Sequence, residues 1–419
     1  MKPDVLVVGG GPAGASVAFQ LARRGVRVTV LERARFPRAK PCAECLSPRA
    51  SEILEDMGVL AGLASRGAWL KGMVVRSPSG ITAKGDYAAH HGFRSHADGG
   101  LALRREILDS ALLDRARDAG ARVTEDARVV EVVRDAYGRV RGVTVRSPTG
   151  RVHELDAPLV MAADGLRSVI AKRLGLARTR AWPDRISVVA HYHGVSDISQ
   201  YGEMHVEGDG FVGIADVGDG MTTVAAVFPR GNAKAMAGDP AAYLHQWLLG
   251  KPQLAGRFTA ALRDGSASAI GPFASHARRA WHPGALLVGD AADFFDPFTG
   301  EGIYAALRGG QLAADAAFLA LETPHAEESA FREYGRRRRL AFRGKWMVEQ
   351  IIGACVGSPA VVNRAARALA ARKELADLLV GVTGDFVPAS EVLRLGYLAR
   401  LFVLPVPATT SRSYAHRLR

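Results

Sequence analysis

The sequence predicts an α/β fold with an α+β insert, on three observations. A short apolar run at residues 4–8 leads straight into a glycine-rich turn and a helix, the opening of a βαβ unit. Helix-like and strand-like segments alternate on either side of the middle of the chain. Between residues 184 and 271 the pattern changes to long strands, so a sheet is inserted before the first pattern resumes. With 419 residues, 48% of them hydrophobic, the chain can bury more than one core. The expected division is a discontinuous Rossmann-like nucleotide-binding domain (1–70, 100–183 and 272–330), an antiparallel-sheet substrate domain (71–99 and 184–271) and a helical, basic C-terminal region (331–419).

In chain order, 4–8 reads as a strand, 9–14 as a turn, 15–24 as a helix and 26–31 as a β-branched strand. A loop rich in Pro and Arg follows, then a helix over 48–57 with Ser47 as N-cap. Strands within 72–84 flank a turn at 77–80, and 104–119 reads as a charged amphipathic helix. The segments 121–133 and 140–145 form a strand pair about a turn at 135–138, and 159–163 is a buried strand. In the insert, 186–193 alternates, while 211–217 and 221–228 face each other across Gly218-Asp219-Gly220, a hairpin signal. An apolar strand at 285–288 and a helix at 302–321 resume the first domain, and the remainder is mostly helical.

Bulk properties narrow the function classes. Asp4 close behind Lys2 and Pro3 argues against a signal peptide. No stretch reaches the roughly 20 apolar residues that span a bilayer; the best, 395–408, is broken by Arg400, Pro405 and Pro407. Only Cys42, Cys45 and Cys355 occur, which argues against a disulfide scaffold and for a reducing cytoplasm. The net charge is +13, with 16 Lys and Arg against 6 Asp and Glu from residue 331 onward. That field suits peripheral contact with an anionic membrane or an acidic partner, or is simply solvated surface. Nucleic acid is disfavoured, because the arginine run 336–339 has no aromatic interleaving and no binding module around it. His90, His91 and His96 read as exposed loop, and no second Cys/His pair stands at metal-ligand spacing.

Gly9-Gly10-Gly11-Pro12-Ala13-Gly14 satisfies G-x-G-x-x-G between a strand and a helix. Gly9 permits the tight turn, Gly11 lets backbone approach a pyrophosphate, and Gly14 allows close helix–strand packing. Pro12 and Ala13 open the helix, whose free N–H groups and positive dipole face the phosphates. Glu32, with Arg33 beside it, ends the second strand where a carboxylate binds ribose hydroxyls. These residues specify an ADP moiety and leave FAD and NAD unseparated. Two later motifs separate them. Ala163-Asp164-Gly165-Leu166-Arg167-Ser168 follows a strand, and Gly289-Asp290-Ala291-Ala292 follows another and runs into Pro297-Phe298-Thr299-Gly300-Glu301-Gly302-Ile303. An aspartate at a strand's carboxyl end can accept hydrogen bonds from a ribityl chain. A glycine-rich helix start presents N–H groups to the flavin's pyrimidine edge, where negative charge appears on reduction.

The three motifs, in this order and over most of the chain, resemble the flavoprotein monooxygenase and reductase superfamily with the p-hydroxybenzoate hydroxylase-type fold. The resemblance implies that Asp290 binds the ribityl chain and that Gly302 and Ile303 line the isoalloxazine, with Gly289, Pro297 and Gly300 also binding the cofactor. It implies that Asp164 supports the cofactor from behind and that Arg105, in Arg105-Glu106-Ile107-Leu108-Asp109, lies near it. It puts Val130 beside the adenine, a position where valine is equally a core strand residue. Pro41-Cys42-Ala43-Glu44-Cys45-Leu46-Ser47-Pro48 is similar to the Pro-Cys-Gly-x-Gly-Leu-Ser-Pro loop of the geranylgeranyl reductase family, with Ala43 and Cys45 in place of the glycines. That likeness implies a catalytic contribution from Cys42 at the flavin. Cys42 and Cys45 also have C-x-x-C redox spacing, or serve as small apolar fillers. The segments 342–346 and 376–386 resemble bacterial members of the same family, yet its aromatic-x-Trp-x-Phe-Pro motif is not intact: Gly210-Phe211-Val212-Gly213-Ile214-Ala215 stands there, with Phe228-Pro229 on the next strand. The Trp-x-Trp-x-Ile-Pro motif of tryptophan halogenases is absent.

Two chemistries follow from this cofactor shell: reduction of a C=C bond in a large apolar, isoprenoid- or polyketide-like substrate, or O₂-dependent hydroxylation of an aromatic or polyketide substrate. A third reading is a flavin-bound protein that docks on a membrane surface or a partner without catalysis. With no second nucleotide fold in the sequence, NAD(P)H binds transiently at the flavin or a separate electron-donor protein supplies the electrons. Phe211 and Phe228 are expected to roof an apolar substrate pocket.

Overall fold

The computed structural model describes residues 2–87 and 91–406. Val5–Val8 lies near the centre of a six-stranded sheet ordered Trp281–His282, Ala285–Leu287, Leu159–Ala162, Val5–Val8, Val28–Leu31, Arg122–Thr124. All joins are parallel except that of Trp281–His282, and Val5 stands opposite both Val28 and Leu159. The central strands are covered on both faces and so read as unbroken apolar runs, VLVV and LVMA. Because they are parallel, the turns after Val8, Ala162 and Leu287 leave from one edge. Three motifs scattered along the sequence converge there.

The first helix is Pro12–Ala22, starting earlier than expected, since Pro12 at the first turn has no N–H to lose. With Arg105–Asp118 and Gly302–Glu322 it packs one face of the sheet. A three-stranded sheet of Arg128–Arg134, Val140–Arg146 and Val152–Asp156 covers the other. The segment expected to be one strand at 121–133 is thus divided: Arg122–Thr124 edges the large sheet, Asp126 turns the chain at φ 55°, and Arg128–Arg134 begins the small one.

The second large sheet runs Leu262–Ile270, Arg185–His193, Met221–Pro229, Gly210–Asp216, Gly202–Glu207, Gly72–Arg76, Thr82–Asp86. Its period of two decides the environment of each side chain. Val188, Ala190, Val212, Ile214, Val224, Ala226 and Phe228 pack beneath the helices Pro240–Leu249 and Ala255–Phe258. Ser187, Val189, Phe211, Gly213, Ala225 and Val227 face a cavity. The expectation for Phe228 is therefore corrected. Phe211 pairs with Val227, so Phe228 turns away from the cavity and is buried edge-on against Tyr243 and Trp247.

The helix Glu327–Val356 packs on Gly302–Glu322. Helices Pro359–Ala371 and Lys373–Thr383 cover the edge strand Thr82–Asp86, so closely that a Cβ on Gly85 would lie 2.6 Å from the Ala376 carbonyl oxygen. The arginine run is not a free basic patch: Arg336 and Arg337 pair with Glu333, and Arg338 is buried against Asp293, its guanidinium over Phe342 and Trp346. His96 pairs with Glu55 and His91 stacks on Phe386, so this segment is more packed than expected. His90 and residues 407–419 lie outside the described residues. Among those described, no helix is long and apolar enough to cross a membrane.

Candidate functional site

A cavity of about 1580 Å³, its open mouth included, lies between the carboxyl edge of the six-stranded sheet, the inner face of the seven-stranded sheet and the helix Glu327–Val356. Of the residues expected from sequence, Gly11, Pro12, Ala13, Cys42, Arg105, Gly289, Asp290, Pro297, Gly300, Gly302 and Ile303 line it, and Phe211 faces it from the sheet.

The three motif glycines do three different jobs. Gly9 has φ 102°, and a Cβ there would sit 2.4 Å from Ala163 O. A Cβ on Gly14 would sit 1.8 Å from Gly9 O, so the helix could not approach the strand. At Gly11 the space is open, and the nearest atoms are the guanidinium ends of Arg38 (3.5 Å) and Arg105 (3.9 Å). Asp109 orients both: Arg105 donates Nε–H and Nη2–H to it at 2.8 and 2.7 Å, and Arg38 Nη1 lies 3.1 Å away. Two cations on one buried carboxylate leave positive charge facing a helix N-terminus, which fits a pyrophosphate. Glu32 accepts N–H groups from Gly10 (2.7 Å) and Ala34 (3.0 Å), which holds its carboxylate at the strand end. Arg33 is exposed and Val130 is half-buried on the small sheet, and neither lines the cavity. Asp164 accepts the Val169 N–H at 2.7 Å and so pins the helix Val169–Arg173; burial raises its pKa.

Further along, Gly289 has φ 60°, and a Cβ there would meet Ala13 Cβ at 2.9 Å. Asp290 stands 3.7 Å from Lys40, a residue of the Pro/Arg loop to which the sequence assigned no role. Gly300, at φ 72°, ends a short turn before the 21-residue helix Gly302–Glu322. No atom lies within 4 Å of a Cβ position on Gly300, and only Phe294 within 4 Å on Gly302. A dinucleotide with its phosphates at Gly11 and its electron-accepting ring at this second helix start fits the donors present.

Sequence reasoning missed a buried charge cluster behind that helix start. Lys345 Nζ lies 2.6 Å from Glu301 Oε2 and 2.9 Å from Asp385 Oδ1. Burial by itself would lower the Lys345 pKa, but Asp385 and Glu301 hold it above the usual lysine value. Burial raises Glu301 well above the carboxylate range. Glu349, one turn further along the helix, lines the cavity, and burial pushes it up to about 7 against the pull of Lys345. Arg185 pairs with Asp296 at 2.7 Å alongside. Glu301 and Lys345 both lie in segments quoted for family likeness, but 44 residues separate them and no local pattern links them.

Cys42 and Cys45 are free thiols that both line the cavity. Burial pushes Cys45 up to about 12, so it is a neutral thiol at physiological pH, which weighs against a reactive pair. Across the cavity Phe211 meets Phe298 edge-on at 4.9 Å, and Phe273 meets Phe294 at 5.4 Å. This half of the cavity is apolar and aromatic.

Residues 2–240 match the family described as FAD binding domain. Digeranylgeranylglycerophospholipid reductase 1 of Methanopyrus kandleri is 32% identical over 363 residues, covering 82% of this chain and 88% of that protein. Menaquinone reductase of Mycobacterium tuberculosis is 29% identical over 338 residues, 74% of this chain and 76% of that one. A flavoprotein/dehydrogenase from Cytophaga hutchinsonii superposes with TM-score 0.80 over 96% of both chains at 20% identity. The myxobacterial chondrochloren halogenase CndH does so with TM-score 0.78 at 24% identity, over 85% of this chain and 83% of its own. The last two likenesses are of fold. The likeness read from the Cys42 loop thus extends over most of the chain.

Proposed function

The chain belongs to the FAD-binding-domain family and is an FAD-dependent oxidoreductase, and from that premise we propose that it reduces C=C bonds of a large apolar, isoprenoid- or polyketide-like substrate. The observation that carries this reading is one continuous cavity, which joins the glycine-lined helix start at Gly302 to the aromatic wall at Phe211 and Phe273. The named relatives, a digeranylgeranylglycerophospholipid reductase and a menaquinone reductase, support the reductive direction.

In this reading FAD supplies two electrons as a hydride. Gly11, Pro12 and Ala13 hold its pyrophosphate with Arg38 and Arg105 behind them, and Glu32 takes its ribose. Asp290 would bind the ribityl chain and Pro297, Gly300, Gly302 and Ile303 would border the ring; Lys345 lies behind that helix start, paired with Glu301. The Phe211 wall aligns the apolar chain and excludes water. Cys42 borders the same space. NAD(P)H or a separate electron-donor protein would supply the electrons. Peripheral contact with an anionic membrane is part of the proposal: Leu395 is 86% and Val403 76% exposed, beside Arg394 and Arg400.

The test is anaerobic. Photoreduced holoprotein mixed with a geranylgeranyl lipid should reoxidise and return a lipid richer by two hydrogens. A flavin that stays reduced until O₂ is admitted contradicts reduction and favours hydroxylation.

A further inference from the structure

Glu44 stands out from its loop by conformation and by placement. Its φ of 62° lies in the left-handed region that L side chains rarely adopt, and backbone strain of this kind clusters at functional sites. Its surroundings hold it there. Its carbonyl oxygen accepts the Leu103 N–H at 3.1 Å, its Oε1 accepts the Arg105 N–H at 2.9 Å, and its own N–H points to Cys42 Sγ at 3.3 Å. The remaining oxygen, Oε2, lies 2.7 Å from His191 Nε2. Glu44 is 3% exposed and lines the cavity. The His191 side chain is 25% exposed, on the strand Arg185–His193 whose Ser187 and Val189 line the same cavity. The pair therefore sets a half-buried imidazole one short hydrogen bond from a carboxylate that lines the cavity.

We propose that Glu44 is the acid that protonates the substrate and that His191 recharges it from solvent. The proposal rests on the reductive reading of the site. As the π bond opens, the hydride from reduced FAD forms a C–H bond at one olefinic carbon. In the resting pair His191 carries the proton and Glu44 is the carboxylate; as the neighbouring carbon takes a proton from Glu44 Oε2, the His191 Nε2–H bond breaks and its proton passes to that oxygen. Glu44 is left as the carboxylate beside a neutral imidazole, and water returns a proton to His191. Each turnover consumes the flavin's electron pair with its hydrogen and one solvent proton. Glu44 is the catalytic acid, and His191 acts through it.

The charges around the pair favour a protonated His191. Burial by itself lowers its pKa, but the hydrogen bond and charge of Glu44 outweigh burial, with Glu106 helping and Arg104 opposing. Arg104 is itself drawn toward Asp219 at 3.7 Å. On the neighbouring strands His191 stands opposite Thr223 and Asp264, and Arg105 closes the far side of Glu44.

The test uses FAD-loaded full-length protein with Glu44→Gln and His191→Asn. Glutamine keeps the acceptor for the Arg105 N–H, so the loop should stay in place and both variants should retain flavin absorbance. Anaerobic reoxidation of the reduced flavin by a geranylgeranyl lipid should slow roughly 100-fold in Glu44→Gln. The wild-type rate should fall as pH rises through the raised His191 pKa, and His191→Asn should remove that fall. NMR titration of His191 in the same holoprotein should give a lower value in Glu44→Gln than in wild type. An unchanged rate in Glu44→Gln overturns the proposal, as does a His191 titration indifferent to Glu44. Wild type that reduces no C=C bond, while the NMR coupling is intact, overturns the reductive reading and leaves the pair standing.

Discussion

Gly11 and Gly14 stand three residues apart, and their replacement by alanine should fail in opposite ways. At Gly11 the backbone is at φ −73° and ψ −174°, which any L residue adopts, and an added Cβ meets nothing nearer than Arg38 Nη2 at 3.5 Å. The Gly11→Ala fold should therefore hold. Restricting the unfolded chain favours it by about 0.4–1 kcal/mol. The new methyl, however, projects into the space where backbone must approach the pyrophosphate. Loss of one charge-assisted hydrogen bond is worth about 1.5–3 kcal/mol, roughly a 10–100-fold rise in the FAD Kd. At Gly14 the Cβ would lie 1.8 Å from Gly9 O and 3.2 Å from Val7 Cγ1. The helix must lift off the strand, an overpacking cost of about 1–3 kcal/mol or more. Thermal unfolding of the FAD-free proteins and fluorescence titration with FAD read both effects. Wild-type FAD affinity in Gly11→Ala, or an unchanged Tm in Gly14→Ala, would refute the assignment of the turn.

Three further outcomes follow from the same geometry. Glu349 is raised from 4.5 to about 7 in the folded protein, so its contribution to stability is fully present below about 4.5 and is lost as pH rises through 7. Glu349→Gln should therefore gain on wild type by up to roughly 3 kcal/mol at alkaline pH, and a Tm difference flat with pH would contradict this. Gly213 lines the cavity with its Cβ position 3.7 Å from Met204 Cε; Gly213→Leu should cut kcat/KM for a long apolar substrate about 10–200-fold with FAD affinity unchanged, and equal loss of both would point to a misfolded sheet. The double variant Leu395→Glu, Val403→Glu, at the start of the helix Leu395–Phe402 and just past its end, should abolish low-salt cosedimentation with anionic liposomes, and sedimentation equal to wild type would remove this segment from membrane contact.

What the sequence disclosed follows the range of the interactions involved. The Gly9–Gly14 turn is legible because strand, turn and helix are contiguous and each glycine has a local steric reason. Asp164 and the 289–303 segment are legible because each follows an apolar strand, and parallel pairing then carries both turns to one edge. The direction of Phe228 is legible from the strand pairing. A hairpin turning at Gly218-Asp219-Gly220 already sets Phe211 opposite Val227, and the period of two then points Phe228 the other way. The Lys345–Glu301–Asp385 cluster and the Glu44–His191 pair were not legible. Their members come from separate elements that packing alone brings together. The arginine run misled in the other direction, because composition does not reveal that Arg338 turns inward against Asp293.

The most direct measurement of the central claim is the mass of the product formed by reduced holoprotein from an isoprenoid lipid, with O₂ excluded and again under isotopically labelled O₂. C=C reduction predicts the same product in both atmospheres, richer by two hydrogens and free of label. A product that forms only with O₂ and carries the label would contradict it.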